Sequence, residues 1–327
     1  MEDRNTSAVQ SVQEYLRRLD YGKLAPVITF LVLFIISAFA SPHFLKYQNL
    51  LNILRQVSYT GIIALGMTFV VIGGGIDLSV GSLTAFAGGI GILAMNNMAS
   101  PVVGVFIAIV VGLALGTAGG MVTGYIISRW RVASFIATLA MMSIYRSLAL
   151  YIANAGEFRS ANQIYPDIGA GRFLTVPIPV WVFLILALLF HLILNNTRYG
   201  RYICAVGANE RVAIYSAIKT KLVRWGTFVL TGFTVGVTGV LISARLNSVS
   251  SSNTGSFYEL DAIAAVVIGG TAMSGGSGTI WGTVLGAITL GIINNMLNMM
   301  HISPYLQGMV KGLVIIAAVL LQYRKSE

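Results

Sequence analysis

The sequence predicts an all-α, polytopic transmembrane helical bundle of about ten spans, with both termini cytoplasmic. Composition predicts the class, since 56% of the 327 residues are hydrophobic, only 10% are charged, and mean hydropathy is +0.80. The pattern predicts helices, because the apolar residues form continuous runs. The basic residues predict orientation, because they gather in short segments between those runs. A soluble domain carries about 25% charged residues, so this chain has too little polar surface to face water, and membrane lipid is its expected surroundings.

A helix needs about 20 apolar residues to cross the hydrocarbon core. There every backbone group must be hydrogen-bonded within its own segment, so unbroken apolar runs read as helices, not barrel strands. Ten runs qualify: 26–40, 57–72, 78–95, 101–127, 132–153, 177–194, 226–244, 260–273, 280–300 and 307–322. The eighth is short, and the glycine-rich stretch after it is a candidate re-entrant bend. Residues 1–24 are the expected cytoplasmic N-terminal segment, 25–322 the membrane domain with a cytoplasmic loop at 195–225, and 323–327 a cytoplasmic tail. Arg17, Arg18 and Lys23 precede the first run, and Ala38-Phe39-Ala40 resembles a signal-peptidase site. Interspersed Glu2, Asp3, Glu14 and Asp20, and the many later spans, favour an uncleaved first helix.

Charge tests the orientation. With the N-terminus inside, fourteen cations are cytoplasmic: Arg4, Arg17, Arg18, Lys23, Arg129, Arg131, Arg198, Arg201, Arg211, Lys219, Lys221, Arg224, Arg324 and Lys325. Five lie outside: Lys46, Arg55, Arg159, Arg172 and Arg245. That bias is the positive-inside pattern. It also accounts for the net charge of +10 without nucleic acid, for which no base-stacking or recognition-helix pattern is present. Cys204 stands alone, so no disulfide can form within one chain, and no Cys/His metal pattern occurs.

No GxxxxGK[ST] phosphate loop is present, so ATP binding in that manner is not expected of this chain. No GxSxG, HExxH or paired carboxylates are placed for acid–base chemistry, so no catalytic residue, cofactor or metal is assigned. Ionisable residues at membrane depth usually mark ion or proton relays. Only Asp77, Arg146 and Lys311 approach it, each near a span end, and Lys311 is expected to snorkel outward. A proton-coupled carrier needs a better-furnished pathway.

Three segments stand out. In Gly73-Gly74-Gly75-Ile76-Asp77-Leu78-Ser79, the glycines break the second helix and Asp77 is placed to accept the free N–H groups opening the third. That is either a helix cap or, since broken helices line transport sites, part of a path including Gly74, Gly75, Asp77 and Ser79. Glu259 and Asp261, at the outer start of the eighth run, suit a helix N-terminus or an external basic partner. The basic loop 195–225, with a short helix expected over 208–217, either fixes orientation or serves a cytoplasmic motor as a lever. Asn294, Asn295 and Asn298 are candidates to line a weakly polar path or to bond between helices. Gly112, Gly116, Gly120 and Gly124 mark one face of the fourth run for close helix packing. The stretch Val70-Val71-Ile72-Gly73-Gly74 recurs as Val266-Val267-Ile268-Gly269-Gly270, an echo that so biased a composition can also produce by chance.

These segments together resemble the ribose-type permeases of bacterial ABC importers. The blocks are Gly66-Met67-Thr68 with Gly74 to Ser82, Phe135-Ile136-Ala137-Thr138-Leu139, Thr197 to Tyr202 with Val206 to Glu210, and Tyr258 to Thr271 with Gly275 to Thr279. The wording around Leu260–Val267 and Gly291–Asn298 leans to the ribose members. The resemblance implies a monosaccharide importer in the bacterial inner membrane. Its permease forms a homodimer, docked outside to a sugar-binding protein and inside to an ATP-binding subunit. It also implies a coupling helix within 206–217, with Gly207, Asn209, Glu210, Ala213 and Ile218 at the motor contact. The family often reads Ala-Ala and then Gly-Ile where this chain has Val212-Ala213 and Ala217-Ile218. A secondary, ion-coupled sugar transporter and a membrane receptor or scaffold are the rival classes.

Overall fold

The computed structural model describes residues 21–303, 306–313 and 316. The expected N-terminal segment before residue 21, most of the tenth run beyond residue 313 and the tail lie outside the described residues. Within them the chain is helical almost throughout: α1 (Tyr21–Ala40), α2 (Tyr47–Ile72), α3 (Val80–Asn96), α4 (Pro101–Trp130) and α5 (Ser134–Ile152). A short α6 (Pro166–Ala170) precedes α7 (Ile178–Asn196), α8 (Arg198–Ala208), α9 (Glu210–Tyr215) and α10 (Thr220–Leu246). Last come α11 (Tyr258–Ile268) and α12 (Ile280–Met299), and residues 306–313 are helical. The strands are confined to loops. β1 (Glu157–Arg159) pairs antiparallel with β4 (Ser248–Ser250), Phe158 facing Val249, and β2 (Arg172–Phe173) pairs with β3 (Val176–Pro177).

Six of the described helices are long and apolar enough to cross a membrane: α2, α4, α5, α7, α10 and α12. Two of them begin earlier than hydropathy indicates. α2 starts at Tyr47 and α10 at Thr220, because their opening turns hold Gln48, Asn49, Asn52 and Arg55, or Lys221 and Arg224. Those turns are helical but polar, and an apolar window cannot see them. α3 and α11 fall short, at seventeen and eleven residues. At 1.5 Å per residue they rise about 26 and 16 Å, against a core of about 30 Å. The short eighth run is thus a helix of eleven residues followed by a non-helical stretch up to α12.

Burial sorts the helices into a centre and a lipid face. The apolar windows of α2 and α10 are 83% and 78% buried, whereas those of α4 and α5 are each 28% buried. Val102 and Phe106 on α4, Ile185 and Leu188 on α7, and Ile35 and Phe39 on α1 are exposed. With nothing polar to hide behind, these faces need hydrocarbon around them. The glycine face of α4 turns the other way, onto α10. A Cβ on Gly116 would stand 2.5 Å from the Gly236 Cα, and one on Gly120 would stand 2.9 Å from that of Gly232. Such spacing lets the two backbones touch, which strengthens dispersion where the hydrophobic effect between helices is absent.

The sequence echo is a repeated helix stop. α2 ends with Gly74 at φ 76°, its N–H donating to the Val71 carbonyl and that of Gly75 to Val70, each at 2.9 Å. α11 ends with Gly270 at φ 83°, donating to Val267 at 2.9 Å, with Thr271 donating to Val266 at 3.2 Å. Both are left-handed caps that satisfy the last carbonyls, and a residue with a Cβ adopts that φ only at a cost.

Candidate functional site: a polar cavity above a glycine junction

Between α2, α10, α11 and α12 lies a cavity of about 270 Å³. α2 presents Gln56, Tyr59 and Thr60 to it, α10 presents Arg245, and α12 presents Asn294. Tyr258 and Asp261 enter from the first turn of α11, and Ile242 and Leu290 complete an apolar wall. The Arg245 guanidinium carbon sits 5.4 Å from the centre of the Tyr59 ring, spreading its charge over the aromatic face. Lys311 donates to both Asp261 oxygens, at 2.9 and 3.0 Å. Lys311 is therefore turned into an ion pair instead of snorkelling to water, because a carboxylate lies within its reach. Asn294 Oδ1 is buried and accepts no hydrogen bond among the described residues.

The three candidate asparagines separate. Asn294 faces the cavity, while Asn295 and Asn49 exchange amide hydrogen bonds at 2.9 and 3.2 Å, tying α12 to α2. Asn298 accepts from Gln307 at 2.8 Å on an exposed face. Sequence reasoning missed Gln56, Tyr59, Thr60 and Arg245. The signal was the i, i+3, i+4 spacing of the first three, which puts them on one helical face. Arg245 was counted only as an outer cation.

In the glycine break before α3, Gly74 is exposed whereas Gly73, Gly75 and Asp77 are buried, Asp77 with only 3% of its surface exposed. Its Oδ1 accepts from the Ser79 N–H at 2.9 Å and the Ser79 hydroxyl at 2.7 Å. The carboxylate thus fixes the residue ahead of the helix, whereas the sequence placed it on the N–H groups of the first turn. The Ser79 carbonyl opens α3 by accepting from Leu83, at 2.9 Å. Ser134 Oγ accepts from the Ile76 N–H at 3.2 Å, anchoring the extended stretch to α5. The start of α3 meets the start of α11: a Cβ on Gly81 would collide with the Gly255 carbonyl and stand 2.7 Å from Glu259 Oε2. Glu259 therefore sits against the first turn of α3, where the helix dipole favours a carboxylate. Arg146 steadies the loop before α11, donating to the Ser251 and Thr254 carbonyls at 2.9 and 3.0 Å. Glu259 and Asp261 are both engaged within the chain.

The loop 195–225 forms two helices where one was expected over 208–217. Asn209 separates them and caps α9, its Oδ1 accepting from the Val212 N–H at 3.1 Å. Glu210 pairs with Arg224 at 3.0 Å. Ala213 is buried, and its carbonyl accepts from the Ile218 N–H at 3.0 Å. Val212, Ile214 and Tyr215 point outward, Tyr215 with 90% of its surface exposed. Ala217 has φ 59°, the left-handed conformation that suits glycine. Burial raises the Tyr199 phenol and the Cys204 thiol above their ordinary values, so both stay protonated near neutrality.

Gly207, near the end of α8, is wedged between the end of α2 and the loop that follows α11. A Cβ there would collide with the Ile72 carbonyl at the end of α2 and stand 2.5 Å from the Gly276 N–H nitrogen. Gly276 itself donates to the Ile72 carbonyl at 2.8 Å. The loop segment thus touches the ends of the same helices that wall the cavity.

A family described as branched-chain amino acid transport system / permease component matches residues 49–319. The chain belongs to this permease family. The permease is 40% identical to the ribose import permease protein RbsC of Escherichia coli K12 over 329 residues, covering 98% of this chain and all of the relative. It is 39% identical to RbsC of Bacillus subtilis 168, over 93% and 94% of the two chains. The L-arabinose transport system permease protein AraH of Escherichia coli K12 is 34% identical over 94% of this permease and 91% of the relative. No solved structure matches the permease. Membership makes it a membrane transport component and not an enzyme.

Proposed function

We propose that this permease is the membrane-spanning subunit of an ATP-driven sugar importer of the bacterial inner membrane, with ribose or a related monosaccharide as cargo. One observation carries the reading: near-full-length identity of 39–40% to ribose import permeases coincides with a cavity in the helical bundle that Gln56, Thr60, Arg245, Asp261 and Asn294 line beside apolar side chains. Two copies pack side by side with ten spans each, N- and C-termini inside. A binding protein delivers sugar from outside, and a separate ATP-hydrolysing subunit grips the exposed Val212, Ile214 and Tyr215 of α9. Asn209, Glu210, Ala213 and Ile218 shape that grip, and Gly207 passes its movement to α2 and to the loop after α11. Gly74, Gly75, Asp77 and Ser79 form the break at which α3 moves relative to α2. Asp261 belongs to the cavity wall here, since Lys311 holds it.

Reconstitution in proteoliposomes decides between this reading and an ion-coupled carrier. Ribose uptake is expected only with the ATP-binding subunit, the binding protein and ATP. Uptake by the permease alone, driven by an ion gradient, would overturn it.

A further inference from the structure

We infer that the cavity between α2, α10, α11 and α12 is a holding site for one neutral monosaccharide within a single copy of the chain. The inference rests on the importer reading and extends it: the sequence offers Asn294 as a candidate to line a weakly polar path, and the structure sets it in the wall of a chamber. Four helices of a single chain supply the lining.

The lining fits a polyol. A sugar has a hydroxyl edge and a C–H face, and the cavity has both counterparts. Gln56, Thr60, Arg245, Asp261 and Asn294 offer donors and acceptors, while Ile242 and Leu290 are apolar. At about 270 Å³, the cavity has several times the ~30 Å³ share of one water. The orphan group also selects the ligand. Asn294 Oδ1 is an acceptor that is buried and unpaired among the described residues. Its partner must donate a hydrogen, which a sugar hydroxyl does and an ionised carboxylate cannot. The charged groups of the wall are already engaged, Asp261 by Lys311 and Arg245 by the face of the Tyr59 ring.

Cys204 is the sole cysteine, which makes the test specific. In the Cys204→Ala chain in lipid nanodiscs, Thr60→Cys places a thiol in the cavity wall. D-ribose is expected to slow its modification by a small thiosulfonate reagent several-fold. It should leave Tyr215→Cys, on the outside of α9, unaffected. Adding Asn294→Leu should abolish the protection while the thiol stays reactive. Equal rates with and without ribose, or protection by inorganic phosphate in place of ribose, would overturn the inference. The Cys204→Ala chain with Thr60 intact, assembled with the ATP-binding subunit and binding protein, is assayed for ribose import. Import without protection removes the holding site and leaves the importer; protection without import does the reverse.

Discussion

Asp77 brings a carboxylate into a place where almost none of it meets water, and its Oδ1 is committed to two donors of Ser79. An amide oxygen can accept both bonds, so Asp77→Asn is expected to fold and to import sugar as the native chain does. Asp77→Leu leaves the Ser79 N–H without an acceptor, a loss of about 1–3 kcal/mol for a buried group. Thermal unfolding in detergent should show a lowered midpoint for the leucine variant alone. Loss of import in Asp77→Asn at an unchanged midpoint would show that the charge itself takes part in transport. Ala217 is the opposite case, a residue whose own conformation is unfavourable. Its φ of 59° costs a non-glycine residue about 1–2 kcal/mol. Ala217→Gly is expected to raise the unfolding midpoint despite glycine's greater freedom in the unfolded chain; a fall would mean that this freedom outweighs the relief.

Helix ends, more than helix middles, connect the parts of this protein. α2 and α11 end in matching glycine caps, and Gly207 of α8 sits between the first of them and the return loop after the second. α9 follows directly and shows its apolar residues to the outside. A push on α9 therefore has backbone contacts through which to reach two walls of the cavity. Gly207→Ala adds one methyl group against the Ile72 carbonyl, and overpacking of this kind costs about 1–3 kcal/mol. The assembled complex is expected to keep hydrolysing ATP while sugar import falls. Full import by this variant would remove the junction from the mechanism. Glu210→Arg tests the outer side of the same element, since it places a second guanidinium against Arg224 and should also uncouple hydrolysis from import.

At the scale of the whole molecule, apolar exposure on α1, α4 and α7 surrounds two enclosed helices, α2 and α10. A lipid-covered shell around a polar interior is the economical way to carry a hydrophilic solute through hydrocarbon, because only the inner helices need polar side chains. The proposed orientation puts α9 in the cytoplasm and the β2–β3 turn outside. In cells carrying Cys204→Ala, a membrane-impermeant maleimide is expected to label Leu174→Cys directly. Tyr215→Cys should react only after permeabilisation. Reaction of Tyr215→Cys in intact cells would reverse the orientation and remove the proposed motor contact.

Sequence by itself determined the class, the helical runs and the stop of the second. Charge scarcity dictates lipid, continuous hydropathy dictates helices, and three successive glycines dictate where α2 ends; the eighth run continues by hydropathy to residue 273, whereas α11 stops at Ile268. Each of these follows from local chemistry, and local chemistry is what a linear text records. The cavity was decided only by tertiary structure. Gln56 and Tyr59 are far along the chain from Arg245, Asp261 and Asn294, and each looks ordinary in its own run. Packing four helices together sets them around one space, sends Asn295 to Asn49 and leaves Asn294 Oδ1 unpaired among the described residues, while the helical stretch 306–313 brings Lys311 to Asp261. Three neighbouring asparagines with one chemistry thus meet three different surroundings, because a helix turns about 100° per residue and what each turn faces depends on the neighbouring helices.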